Sequence, residues 1–167
     1  MPQLTAQLLA ELLDRHGPAL KLYARQWCAA PDDVVQQALI DLSACAELPA
    51  NPAAWLFAVV RRQAISQARF DRRRRQHEAA AAAQWFQRSQ THQADVETAA
   101  AALAELPLTE REIVIAHLWG RLTFAEISQL IGISSSTGQR RFEAAVHRLR
   151  EKLNPDRINI PCPKTEM

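Results

Sequence analysis

The chain has 167 residues, a formal net charge of +2 and only 6% aromatic residues, with 4 Gly set against long runs of Ala, Leu, Gln and Arg. That composition favours helix and excludes a β-sandwich, a barrel or a glycine-rich phosphate-binding α/β fold. The longest apolar run, residues 53–60, is too short to cross a bilayer, and the amino terminus lacks the basic region and apolar core of a signal peptide, so a soluble, cytoplasmic, all-α protein with no membrane insertion is expected.

Leu4, Leu8 and Leu12, with Leu9 and Leu13 beside them, give the apolar stripe of a first helix, expected to end at Gly17-Pro18. Leu20 to Cys28 reads as a second helix. Pro31-Asp32-Asp33 opens a third, running to about Glu47, with its acidic residues placed where the helix dipole favours them. Pro49 and Pro52 bracket a loop. From Ala53 a long helix carries Leu56, Val59, Val60, Gln63 and Ala64 and ends in an arginine block.

Charge is strongly segregated along this half. Residues 1–60 sum to −3, whereas residues 61–77 hold seven arginines against Asp71 and sum to +6. Arg outnumbers Lys 17 to 3 over the whole chain, which suits bidentate contacts to phosphate and guanine. For Arg72 to Arg75 alone a solvated helix end is the plain alternative. Trp55 and Phe57 beside this block are able to stack on an unpaired base, but their apolar neighbours favour core packing. Trp27, Trp85 and Trp119 are read as core.

Residues 78–105 form an acidic linker biased in Ala and Gln, with helical tendency and little to bury. Such a segment reaches roughly 90 Å extended and about 40 Å as helix. Leu106-Pro107 then opens a second domain, 106–153, followed by a tail, 154–167. Thr109 with Glu112, and Thr123 with Glu126, each spell a capping box. Gly132 supplies a turn with positive φ, and Ser134 caps the last helix. Phe124, Ile127, Leu130 and Ile131 are expected to be buried on one helix; Phe142, Ala145, Leu149 and Leu153 on the next. This is a helix-turn-helix pattern, in which the second helix enters the major groove by its amino-terminal end.

On that end sit Ser135, Ser136, Gln139 and Arg140. Gln pairs with adenine and Arg with guanine through two hydrogen bonds, each worth roughly 1–3 kcal/mol of discrimination. Serines at a helix amino terminus suit phosphate or base edges. Residues 140–152 sum to +3, so two basic blocks flank an acidic spacer, a footprint for two contacts on one polyanion. A small helical hairpin that binds protein is the alternative. Cys28, Cys45 and Cys162 form no CxxC pair and the five histidines show no metal-ligand spacing, so reduced thiols are expected, with no metal and no cofactor. With no nucleophile elbow, Walker loop or paired carboxylates in view, no catalytic residue and no enzymatic activity are expected.

The residues carry a family resemblance. LPLTEREIVIAHLWG, LTFAEISQLIGIS and TGQRRFEAAVHRLREKL resemble the carboxy-terminal helix-turn-helix domain of bacterial sigma factors, especially the small extracytoplasmic-function (ECF) class. Asp32-Asp33-Val34-Val35-Gln36 is similar to the segment written E-D-L-V-Q in that class. AWLFAVVRRQAISQARFDRRRR resembles its promoter-opening helix. The resemblance implies two small helical domains joined by a linker, 1–77 for core RNA polymerase and minus-ten DNA and 106–153 for minus-thirty-five DNA. It places Asp33, Val34, Gln36 and Leu39 on the polymerase, Arg61, Arg62, Arg69, Arg72 and Arg73 on minus-ten DNA, and Ser135, Ser136, Gln139, Arg140 and Arg141 on minus-thirty-five DNA. It also implies an anti-sigma factor as partner. The chain departs from the pattern at Arg62 and Ser66, where the family has Asn and Asp, at Gln37 and Ala38, and at Gly138, where the family has Val. A stand-alone helix-turn-helix regulator and a helical adaptor that only binds protein are the rival readings.

Overall fold

A computed structural model describes residues 5–77 and 101–153; the side chains of residues 74–77, most of the expected linker, the tail, Trp85 and Cys162 lie outside the described residues. Every regular element within them is helical. The first unit comprises α1 (Ala6–Ala24), α2 (Pro31–Ser43) and α3 (Pro52–His77). The second comprises α4 (Leu108–Val114), a π-helical segment (Ile115–Trp119), α5 (Phe124–Ile131) and α6 (Ser135–Leu153).

Thr5 caps α1 by accepting from Leu8 N at 3.2 Å, and the helix runs unbroken through Gly17 and Pro18. The expected break there, with a separate second helix to Cys28, does not occur. Leu12, Ala19, Leu20, Tyr23 and Ala24 are all buried on one continuous helix, and burying a stripe of that size outweighs the roughly 3 kcal/mol an interior proline costs. Proline at its first position and Asp32 and Asp33 in its first turn start α2, which ends at Ser43 rather than near Glu47. Asn51 starts α3, its Oδ1 accepting from Ala54 N at 3.1 Å.

The helix-turn-helix forms as its caps dictate. Thr123 and Glu126 make a reciprocal capping box, and Gly132 adopts the left-handed conformation with φ of 72°. Ser134 Oγ accepts from Thr137 N at 3.2 Å. The other expected box fails: α4 has Pro107 as its N-cap, and Glu112 is turned into the interior. Of the expected apolar stripe Ile127 and Ala145 are fully buried; Phe124, Leu130, Ile131, Phe142 and Leu149 are partly buried against the core, and Leu153 is exposed.

The two units share one apolar core. Leu20, Tyr23, Leu56 and Phe57 from the first and Ile113, Val114, Ile115 and Ile127 from the second belong to a single buried cluster. Leu103 and Leu106, ahead of α4, are buried in it as well, and Arg111 fastens that stretch by donating to the carbonyls of Ala104 and Leu106 at 2.9 and 3.0 Å. Gly120 makes the close approach possible, lying directly against the Phe57 ring. The π segment sets Gly120 there, with Gly120 N bonded to Ile115 O at 3.0 Å. The wider π turn also changes the direction of the side chains within it, leaving Leu118 and Trp119 half exposed where core packing was expected for Trp119.

Candidate nucleic-acid and polymerase interface

The amino-terminal end of α6 presents Ser135, Ser136, Gln139 and Arg140 to solvent, with Arg141 half-buried. They share one end of one helix because Gly138 and Ala145 face the interior. Gln139 donates to Glu143 at 3.1 Å, and the hydroxyls of Ser134 and Ser136 lie 3.2 Å apart. Behind the helix, His117 stacks on Phe124 at 4.4 Å between ring centroids and meets Phe142 edge-on at 4.7 Å. Phe124 and Phe142 also meet edge-on at 5.6 Å, so the three rings pack α5 against α6 behind the exposed end.

On α3, Arg62, Arg69, Arg72 and Arg73 are exposed. Arg61 differs. Its Nε donates to Glu112 Oε1 at 2.7 Å, and its guanidinium lies 5.7 Å from the centre of the Trp27 ring. Burial works against the charge of Arg61, but Glu112 more than compensates and holds its pKa above the ordinary value. Tyr23 donates to the same carboxylate oxygen at 3.0 Å, and burial followed by that negative charge pushes the phenol well above its usual value. Glu112 was read from sequence only as a helix cap; its partners are 51 and 89 residues away, and no local pattern announces them.

On α2, Asp33 and Gln36 are exposed, whereas Val34 and Leu39 are buried at 4% and 9% exposure and belong to the core. Val34 and Leu39, expected on the polymerase with Asp33 and Gln36, pack in the core and hold the helix in place. Ile40 is a half-exposed large apolar residue of α2. Phe57 is fully buried and Trp55 packs against the core. Phe70, which sequence reasoning passed over, stands 65% exposed among the arginines of α3. It lines a shallow groove with Asp33, Val34, Gln37, Gln63 and Gln67.

The two units also meet at their edges. Asn51, which starts α3, donates its side-chain amide to Glu126 of the α5 capping box. Hydrogen bonds from the Thr123 backbone, then from its hydroxyl and from Asn51, keep the Glu126 carboxyl below its ordinary value despite some burial. Among the described residues no cluster of three or more His, Cys, Asp or Glu is placed to hold a metal ion, and no helix is long and apolar enough to cross a membrane.

Residues 97–153 match the family model described as Sigma-70, region 4. The sigma factor RpoE of Bartonella quintana, solved in complex with the anti-sigma factor NepR, aligns with a TM-score of 0.68 and 26% identity, covering 92% of this chain and 100% of that one. CnrH, solved with the cytosolic domain of CnrY, shares the fold with a TM-score of 0.59 and 23% identity over 91% of each chain. A comparison with curated proteins finds no match. Two helical units, the second a helix-turn-helix, make this a DNA-binding transcription factor. More particularly, residues 97–153 carry a sigma-70 region 4 domain, and the chain as a whole is similar to the sigma factor RpoE and shares the fold of CnrH.

Proposed function

We propose that the two units, residues 1–77 and 106–153, divide the work of this sigma factor between them, with 78–105 as the connection and 154–167 as a tail. Asp33 and Gln36 on the outer face of α2 dock on core polymerase, with Val34 and Leu39 supporting that face from beneath. Arg61, Arg62, Arg69, Arg72 and Arg73 take the phosphates and the opened strand at the minus-ten element. Ser135, Ser136, Gln139, Arg140 and Arg141 read the minus-thirty-five element in the major groove. The observation that carries this reading is the amino-terminal end of α6, where Ser135, Ser136, Gln139 and Arg140 are exposed together on a helix fixed by Gly132 and the capping box.

The role is non-enzymatic and set in the cytoplasm, where polymerase and promoter are. Strand opening draws on capture of an unstacked base, at a cost of a few kcal/mol recovered from pocket contacts. An anti-sigma factor is a partner of this chain, as NepR is of the sigma factor RpoE that it resembles. Run-off transcription with purified core polymerase on a panel of genomic fragments tests the whole reading. Discrete transcripts that need this chain are expected, and core polymerase producing none with it would overturn the proposal.

A further inference from the structure

We propose that Glu112 acts as an internal stand-in for a DNA phosphate: with Tyr23 and Arg61 it latches the two units together, so that the free chain masks part of the arginine face it uses on DNA. The inference rests on the reading of Arg61, Arg62 and Arg69 as DNA contacts.

Glu112 is 3% exposed, and a carboxylate so placed persists only when its charge is paired and its oxygens are bonded. Both described partners belong to the other unit, Tyr23 on α1 and Arg61 on α3, at 3.0 and 2.7 Å. The bond therefore forms on closure and breaks on opening. Nothing within α4 replaces it, because Glu112 does not cap its own helix.

Closure has a consequence for DNA. Arg61, Arg62 and Arg69 line a cleft whose opposite wall is Gln129 and Leu130 of α5, with a volume near 430 Å³. That space is of the size that admits a small molecule, whereas B-DNA presents a major groove about 12 Å wide and a helix wider still. A duplex reaches this face only when α5 moves away from α3. The two promoter elements, by the positions that name them, also lie about 25 base pairs apart, roughly 85 Å at 3.4 Å per pair. Units joined through one core, with α3 packed on α5, are held together instead.

The exchange on opening is one anion for another. Arg61 gives up a carboxylate and gains a phosphate, both of which its planar fork binds through charge-assisted hydrogen bonds. DNA thus supplies what Arg61 loses, while Glu112 becomes exposed to water and Tyr23 loses its acceptor.

The test uses the full chain as wild type, Glu112→Gln and Tyr23→Phe. Small-angle X-ray scattering reads the radius of gyration, and fluorescence anisotropy reads affinity for a 40-base-pair duplex of arbitrary sequence at fixed salt. Both variants should expand and bind the duplex more tightly, by roughly 5- to 150-fold for Glu112→Gln, the usual span of coupling between two states, and by less for Tyr23→Phe. Variants as compact as wild type that bind no more tightly would overturn the latch. Should Glu112→Gln lose its helical circular dichroism, Tyr23→Phe decides by the same two readouts. A wild-type chain that fails to bind core polymerase while both variants open and gain affinity would sink the docking reading and leave the latch standing.

Discussion

Gly120 lies so close to Phe57 that a β-carbon added to it would stand 2.7 Å from the ring and 2.5 Å from the carbonyl oxygen of Ala116. The second contact is with backbone, which cannot swing aside as a flexible side chain does. A methyl group there must push the two units apart or distort the π segment. Gly120→Ala is therefore expected to lower stability by about 1–3 kcal/mol, the usual cost of overpacking, read as a fall in the urea midpoint. An unchanged midpoint would show that the two units do not touch at this point in solution.

Gly138 behaves oppositely. It is buried on α6, but an added β-carbon would meet Ile133 at 3.6 Å and Phe124 at 3.9 Å, ordinary contact distances. The helix there has room for a methyl, and glycine in a helix interior costs roughly 0.5–1 kcal/mol relative to alanine. Gly138→Ala should raise stability by about that amount while leaving the exposed reading face intact. Loss of stability in the same urea titration would contradict the packing described.

The helix-turn-helix was legible in the sequence because its determinants are local. Thr123 and Glu126, Gly132 and Ser134 act within four residues of themselves, and each does what its chemistry requires. Thr109 and Glu112 spell the same capping pattern and misled, because Glu112 is better satisfied by Tyr23 and Arg61 from distant parts of the chain. Pro18 misled as well: a proline ends a helix by local rules, but the buried side chains on both sides of it hold α1 together. Val34 and Leu39 were placed on the polymerase by resemblance, and only the packing of α2 reveals that they point inward. Trp119 escaped because the wider π turn changes the direction of the side chains within it, which periodicity at 3.6 cannot register.

His16 introduces a pH dependence. Burial, then the charges of Arg15 on its own helix and Arg121 on the turn after the π segment, lower its pKa from the ordinary 6.5. The folded chain thus holds the neutral ring, and the unfolded chain takes the proton first as pH falls. This contribution to stability is complete above about pH 6.5 and is lost as pH drops through the lowered folded value. The urea midpoint should decline between pH 7 and pH 5, and His16→Asn should flatten part of that decline. An identical slope in the variant would remove His16 from the account.

Arg140 and Arg73 are expected to fail differently. Arg140 sits on the exposed end of α6 and Arg73 near the end of α3. With core polymerase present, Arg140→Ala should relax base preference at one position of the upstream element, at a cost of about 1–3 kcal/mol. Arg73→Ala should weaken binding evenly across sequences and reduce the salt slope by about one. Filter binding over promoter variants at several salt concentrations separates the two, and identical sequence effects from both would refute the division of roles.

The central claim is that this chain works as a subunit of the transcription machine, and sedimentation velocity of the full chain with purified core RNA polymerase tests it most directly. The account predicts that at micromolar concentrations the chain moves with the polymerase in a one-to-one complex. A chain that sediments alone at every ratio of the two would contradict it.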